Sequence, residues 1–96
     1  MLTGRMMNYP LTITHFLRRA KTYFPASEIV SRGTDKALHR STYDAFYRRS
    51  CRLANALKKL GVGPGDRVAT LCWNHQPHLE AYFGVPAMGA VVHTLN

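Results

Sequence analysis

Two histidines have the spacing of metal ligands. His75 and His78 lie three residues apart, which can place both imidazoles on one face of a helix. No third ligand completes a set, because Glu80 falls on a different helical face from His78 and Cys72 belongs to a predicted buried strand. We therefore interpret the two histidines as polar residues that cover a loop at a strand end, and we predict no metal site.

The other reactive side chains also lack partners. A nucleophilic thiol needs a basic neighbour in a partly exposed cleft, and Cys51 has Arg52 beside it only in sequence. We predict that Cys51 and Cys72 are structural, which favours a reducing compartment. The five acidic residues are isolated, so the sequence offers no pair of carboxylates for acid and base catalysis.

Three glycines at alternate positions resemble a phosphate-binding loop only superficially. A nucleotide-binding glycine loop follows a strand and opens a helix, so that helix N-terminal amides face the phosphates. Gly61, Gly63 and Gly65 instead follow a predicted helix and precede a predicted strand. We interpret them as a helix cap and a turn.

The charge is strongly unbalanced, with 13 lysines and arginines, five acidic residues and a formal net charge of +8. Such an excess points to nucleic acid, an anionic membrane surface or an acidic small molecule as a partner. Four basic residues fall on one face of a predicted helix: Arg48, Arg49, Arg52 and Lys59. We interpret this face as solvated, because the aromatic residues of that helix lie on its other side. A small basic α/β module that binds nucleic acid or another anionic partner is the alternative function.

The first predicted element is an amphipathic helix over residues 12–24. Apolar residues recur there at spacings of three and four, with Arg18 and Arg19 on the opposite side. Thr12 is the expected N-cap, and Pro25 is expected to end the helix.

A hairpin is predicted to follow this helix. Residues 28–32 and 37–42 are short extended runs, and residues 33–36 form the turn between them. Gly33 is expected to supply the positive φ that the turn requires.

The clearest element is a second helix over residues 42–60. Ser41 and Asp44 resemble a capping box, and Gly61 is the expected left-handed C-cap. Helical periodicity predicts that the four basic residues named above are exposed. It also predicts a buried stripe that consists of Phe46, Tyr47, Leu53, Ala54 and Leu57.

The pattern of the last third of the chain predicts two parallel strands connected by a helix. Residues 67–73 and 90–95 are apolar runs, and residues 77–88 between them form a helix preceded by Asn74, the first candidate cap. Residues 67–95 have the length of a right-handed crossover. The predicted fold class is therefore α/β, the start of a doubly wound parallel sheet in an incomplete domain.

No membrane span or secretory signal is predicted. The longest uncharged stretch, residues 81–96, contains glycine and proline and is shorter than the roughly 18 apolar residues that a span needs. The first 27 residues carry basic but no acidic side chains, as mitochondrial presequences do, whereas their periodicity favours the first helix of the fold. We expect residues 1–10 to be a loosely ordered leader and the protein to be cytoplasmic, with the mitochondrion as the alternative.

Residues 41–44, 52–71, 73–74 and 78–96 together resemble the beginning of the adenylate-forming acyl-CoA synthetases. The string is most similar to the fatty-acid-CoA ligase branch of that family. The resemblance extends over residues 11–96, and the order of helix, hairpin, basic helix, turn and strand matches the family's opening. The combined string carries the resemblance, since no single residue is diagnostic.

The resemblance implies a two-step ligation in a full-length parent. A fatty acid carboxylate attacks the α-phosphate of ATP with Mg²⁺ to give an acyl-adenylate, and the thiol of CoA then displaces AMP. The family's phosphate loop, adenine-binding segment, ribose-binding aspartate and catalytic lysine have no counterpart in this sequence. We therefore assign no catalytic, cofactor-binding or metal-binding residue, and we expect ATP, Mg²⁺ and CoA to bind elsewhere in the parent.

The resemblance makes residues 1–96 the N-terminal part of an AMP-dependent synthetase/ligase domain. We expect an inactive scaffold segment that ends at Asn96, directly after a buried strand. Its expected partner is the rest of the parent ligase, with no nucleic acid. A homodimer and a peripheral membrane contact remain open alternatives for the parent.

Overall fold

The computed structural model describes residues 4 and 6–96, and it has the predicted order of helices and strands. The elements are α1 (Thr14–Tyr23), β1 (Glu28–Arg32), β2 (Leu38–Thr42), α2 (Tyr43–Lys59), β3 (Arg67–Thr70), α3 (Gln76–Ala87) and β4 (Val91–Thr94). The predicted leader lies partly outside the described residues, and residues 4 and 6–10 form neither helix nor strand. No helix among the described residues has the length and hydropathy to cross a membrane.

α1 begins later than the sequence predicted. Its N-cap is Ile13, which makes no side-chain cap hydrogen bond, so the prediction of Thr12 as the cap was wrong. The first-turn amides bond instead to backbone oxygens, His15 N to Thr12 O at 3.3 Å and Phe16 N to Ile13 O at 3.0 Å. The only fully buried residue of α1 is Leu17, which anchors the helix to the rest of the fold.

The hairpin is confirmed, with an unexpected residue in the left-handed conformation. β1 pairs antiparallel with β2 from end to end. Lys36, not Gly33, has the positive φ of 64°. The Asp35 carboxylate accepts from the Ala37 amide at 3.0 Å and thereby spans Lys36. Position 33 favours glycine for a steric reason instead, because a β-carbon there would lie 2.6 Å from the His39 ring.

α2 starts directly from β2 without an intervening loop. The hydroxyl of Thr42, the last strand residue, accepts from the Ala45 amide at 3.2 Å. Ser41 is still paired within the hairpin, so the predicted Ser41 cap was wrong by one residue. Gly61 has a φ of 96° and donates to Lys58 O, which confirms the left-handed cap.

The buried stripe of α2 is narrower than predicted. Phe46 is buried and meets Phe83 of α3 edge to face, with ring centroids 5.5 Å apart. Ser50, which helical periodicity places on the same face as the apolar stripe, is completely buried. The other four predicted core residues are only half-buried: Tyr47, Leu53, Ala54 and Leu57. Among the described elements, α2 is contacted mainly by α1 and α3, with fewer contacts from β2, which explains the partial burial.

Gly84 allows α3 to approach α2 very closely. A β-carbon at Gly84 would lie 2.8 Å from the backbone oxygen of Ser50 and 3.4 Å from Leu53 Cδ2. The same contact buries Ser50 and Val85, which is 1% exposed. Small size at position 84 therefore sets the separation of the two helices.

β3 and β4 form the predicted parallel pair, in register from Arg67 with Val91 to Thr70 with Thr94. β3 ends three residues before the predicted boundary, and its residues alternate between covered and exposed. The prediction of a strand covered on both faces was wrong for the described residues, because only α3 packs on this pair. α3 is preceded by His75 rather than Asn74 as its cap, without a side-chain cap hydrogen bond.

One basic residue predicted to be solvated has a buried partner. The Arg49 Nε donates to Glu80 Oε1 at 2.5 Å, and Gln76 Nε2 lies 3.3 Å from the same oxygen. Glu80 is only 6% exposed, whereas the Arg49 side chain is 53% exposed. The carboxylate raises the pKa of Arg49 through this hydrogen bond. Arg49 therefore joins α2 to α3 and is not a free surface charge.

The close helix approach predicts a steric effect at Gly84. Gly84→Ala should lower the free energy of unfolding by at least about 1 kcal/mol, because the added methyl meets a backbone oxygen that must shift. Gly63→Ala is the matched control, since a β-carbon there lies 3.8 Å from its nearest neighbour. Urea unfolding followed by circular dichroism measures both, and equal stability of the two variants would contradict the assigned contact.

The buried carboxylate predicts unequal effects at two arginines of α2. Arg49→Ala should destabilise the chain by about 1 to 3 kcal/mol, because Glu80 loses its charged partner. Arg52→Ala, at an exposed position, should change stability by less than about 0.5 kcal/mol. Adding Glu80→Gln to the Arg49→Ala variant should recover part of the loss. Thermal unfolding of all three variants tests this, and a double variant less stable than Arg49→Ala would refute the role of the charge.

Candidate functional site

The region most suited to hold a ligand lies at the carboxyl ends of β3 and β4, where open α/β sheets bind their ligands. A cavity of about 560 Å³ opens there. Its lining comes from the loop after β3, from α3 and from the end of β4. These residues include Cys72, Trp73, Asn74, His78, Tyr82 and Leu95.

His78 is a buried residue at this edge of the sheet. The prediction that it covers a loop at the strand end was wrong. It is 5% exposed, and its Nε2 shares a hydrogen bond of 2.9 Å with the hydroxyl of Thr70 at the end of β3. Its ring tilts against Tyr82 at 4.7 Å between centroids. The hydrogen bond ties the first turn of α3 to the strand that precedes it.

The two histidines do not form a metal site with other residues of the described chain. His75 lies at the N-cap of α3, and its Nδ1 and that of His78 are buried without a hydrogen-bond partner among described residues. The described part of the chain contains no group of three His, Cys, Asp or Glu side chains placed to hold a metal ion. Glu80, the nearest acidic residue in sequence, is turned toward Arg49.

The glycine turn uses its amides within the fold. Gly63 N donates to the Asp66 carboxylate at 2.8 Å, and Gly65 N donates to Gly89 O at 2.8 Å. Gly61 and Gly65 both have positive φ, 96° and 83°. The interpretation as a helix cap and a turn is confirmed. Because the Gly63 and Gly65 amides already donate within the fold, they are not available to bind a phosphate.

The cysteines lie apart and neither forms a disulfide. Cys72 was predicted to lie inside the sheet, but it is exposed because β3 ends at Thr70 and leaves it in the following loop. Cys51 is half-buried on α2, where its thiol raises the pKa of the Tyr47 phenol. No basic partner is bonded to either sulfur among the described contacts.

The basic face of α2 is partly neutralised by local partners. Arg48 pairs with Asp44 one turn earlier, at 2.5 Å, and Arg49 pairs with Glu80. Within the described residues, Arg52 and Lys59 make no ion pair. The positive charge that this face could offer to a nucleic acid, the alternative partner, is therefore smaller than the sequence implies.

Two polar contacts were missed by the sequence reasoning, the Arg49 pair and the Thr70 pair with His78. A signal was available for the first, because Glu80 is the only charged residue within α3. A single carboxylate in an otherwise uncharged helix favours a buried and paired acid. Nothing in the sequence indicated the second contact, since Thr70 and His78 meet only after the loop folds back.

Sequence comparison shows that the chain is similar to AMP-binding enzymes and to fatty-acid–CoA ligases. The family model for AMP-binding enzymes matches residues 17–96. The long-chain-fatty-acid–CoA ligase of Thermus thermophilus is 54% identical over 91 residues, which are 95% of this chain and 17% of that protein. The medium-chain-fatty-acid–CoA ligase of Ectopseudomonas oleovorans is 40% identical over 95 residues, 99% of this chain and 17% of that protein. The chain thus spans about a sixth of the length of these relatives.

Structural comparison agrees with the predicted fold class. The fatty acyl-CoA synthetase of Mycobacterium tuberculosis superimposes with a TM-score of 0.77 at 30% identity, over 88% of this chain and 16% of that protein. The fatty acyl-adenylate ligase of Legionella pneumophila shows the same fold, with a TM-score of 0.76 at 20% identity over 86% of this chain and 15% of that protein. The family match starts within α1 and includes every later element. This chain therefore belongs to the family of AMP-binding enzymes.

Proposed function

We propose that the chain is the N-terminal scaffold segment of an ATP-dependent acyl-CoA synthetase. The parent would join a fatty acid to CoA through an acyl-adenylate. One observation carries this proposal: 88% of this chain superimposes on the fatty acyl-CoA synthetase of M. tuberculosis, of which it covers only 16%. The names of the T. thermophilus and E. oleovorans relatives support fatty acids as the substrate class.

The scaffold role follows from the contacts of α3. Gly84 and the Arg49–Glu80 pair fix this helix on α2, while Thr70 and His78 fix its first turn to β3. The result is a positioned pair of parallel strands whose outer edges pair with no other strand among the described residues and could accept further strands. We propose that the rest of the parent extends the sheet there and supplies the catalytic groups.

The described residues do not fit ATP, Mg²⁺ or CoA. The glycine turn that could bind phosphate bonds its Gly63 and Gly65 amides internally. The buried carboxylate of Glu80 is held by Arg49 and is not directed toward a cation. We propose that these cofactors bind to parts of the parent outside this chain, and we derive no catalytic step from its residues.

We infer a cytoplasmic parent that does not bind nucleic acid. Free thiols at Cys51 and Cys72 are consistent with a reducing compartment. The mitochondrial alternative is not supported, because the acid-free stretch contains α1, whose Leu17 is part of the core. A homodimer of the parent is a further proposal, and a gel-filtration mass equal to one parent chain would exclude it.

A chimeric enzyme tests the scaffold proposal. Replacing the matching segment of the T. thermophilus ligase by this chain should retain fatty-acid-dependent exchange of pyrophosphate into ATP. The purified 96-residue chain alone should give only background exchange, since it supplies no nucleotide site.

Two controls make the outcome specific. A ligase that lacks the segment should be inactive, and a chimera that carries Gly84→Ala should lose thermal stability relative to the unmodified chimera. A folded but inactive chimera, or exchange by the isolated chain, would contradict the proposal. Binding of single-stranded DNA by the isolated chain at about 0.15 M salt would favour the basic-module alternative.

A further inference from the structure

The loop between β3 and α3 is closed at its base by one contact between side chains. Residues 71–75 form neither helix nor strand, and the backbone hydrogen bond within them runs from His75 N to Trp73 O at 3.0 Å. The Thr70 hydroxyl before the loop and the His78 Nε2 after it share a hydrogen bond of 2.9 Å. This contact restricts the paths that the loop backbone can take, because it joins the two ends of the segment.

Both partners of this contact lie inside the chain. Thr70 is 9% exposed and His78 is 5% exposed. The backbone oxygen of Thr70 also accepts from the Leu95 amide at 2.9 Å, so β3, α3 and the end of β4 meet at this threonine. The His78 Nδ1 has no hydrogen-bond partner among the described residues, which leaves the Thr70 hydroxyl as the polar group that fixes the imidazole. The contact is therefore independent of which outer surfaces the rest of the parent covers.

The loop forms one wall of the 560 Å³ cavity at the carboxyl ends of β3 and β4, and the chemistry of that cavity is selective. None of its nine lining residues is a lysine, arginine, aspartate or glutamate, although the chain contains 13 lysines and arginines. Leu71, Trp73 and Leu95 contribute large apolar side chains. The phosphates of ATP and CoA require cations or several N–H donors, whereas an acyl chain requires a neutral lining. The lining suits the acyl chain better than the phosphates.

We propose that His78 is a positioning residue for the acyl substrate of the parent enzyme. By holding Thr70, it would fix the 71–75 loop as a wall of the pocket that receives the acyl chain, without touching a reacting atom. Open α/β sheets bind ligands outside the carboxyl ends of their strands, which is where this loop lies. The inference rests on the proposed function, since it takes a fatty acid as the substrate.

Substrate preference of the chimeric ligase tests this role. Thr70→Val removes the hydroxyl and keeps the branched shape, so the loop should lose its fixed position. Steady-state formation of acyl-CoA would be measured with octanoate and with palmitate. The ratio of kcat/KM for the two acids should change by at least about fivefold, because small displacements of a pocket wall alter the fit of each methylene. The KM values for ATP and CoA should change by less than about twofold.

Two further variants show whether the hydrogen bond itself is responsible. Thr70→Ser retains a hydroxyl and should keep the original ratio. His78→Gln should change the ratio as Thr70→Val does, and the double variant should change it no further, since all three lack the same contact.

Arg49→Ala is the control for a general loss of stability. It loosens α3 on the side that faces α2 and leaves the loop contact in place. The chimera with Arg49→Ala should unfold at a lower temperature and keep its preference between the two acids. Thermal unfolding of every variant accompanies the kinetics, so that only folded enzymes are compared.

Three results would overturn the inference. An unchanged ratio in folded Thr70→Val and His78→Gln chimeras would mean that the loop does not contact the acyl chain. Equal changes in Arg49→Ala and Thr70→Val would mean general loosening of the fold. A change confined to the KM of ATP or CoA would assign the cavity to those substrates. An inactive unmodified chimera would instead contradict the proposed function, so the two failures are distinguishable.

Discussion

The close approach of α3 to α2 is the constraint on which the rest of the structure depends. Gly84 leaves no room for a side chain against the Ser50 backbone, and the buried Glu80 carboxylate beside it requires the Arg49 guanidinium. Once α3 is held there, the two strands that flank it in sequence can pair in parallel beside it. The Thr70 hydrogen bond with His78 then fixes the edge where parallel sheets bind ligands.

The order and type of every element could be predicted from periodicity and turn residues. Hydrophobic periodicities of 2.0 and 3.6 residues, together with the turn residues, predicted α2 and its Gly61 cap, the hairpin and the parallel strand pair. Exact caps could not be predicted, because Ser41 and Thr42 carry equivalent hydroxyls and only the strand register decides which one is free. The prediction that both faces of β3 are covered was wrong for the described residues, because two of the four residues of the strand are exposed there.

The contacts between elements were the least predictable part of the candidate site. The lone carboxylate of α3 indicates a buried, paired acid, but no pattern within one helix identifies Arg49, 31 positions earlier on the polar side of α2, as its partner. Cys72 was placed in the sheet because the apolar run continues to Trp73, whereas the strand ends when pairing stops at Thr70. The family was recognisable from the combined string before any contact was known, since it depends on many residues and not on one site.

Hydrogen exchange at the outer edge of the β3 and β4 pair tests most directly the proposal that further strands of the parent extend this sheet. Val91 and Leu95 donate their amides toward β3, so the alternate amides of Val92 and Thr94 point away from it. We predict fast exchange of these two amides in the isolated chain and strong protection in the chimeric ligase, where a further strand would pair with β4. Full protection of both amides in the monomeric isolated chain, or no protection in an active chimera, would contradict the extension of the sheet at β4.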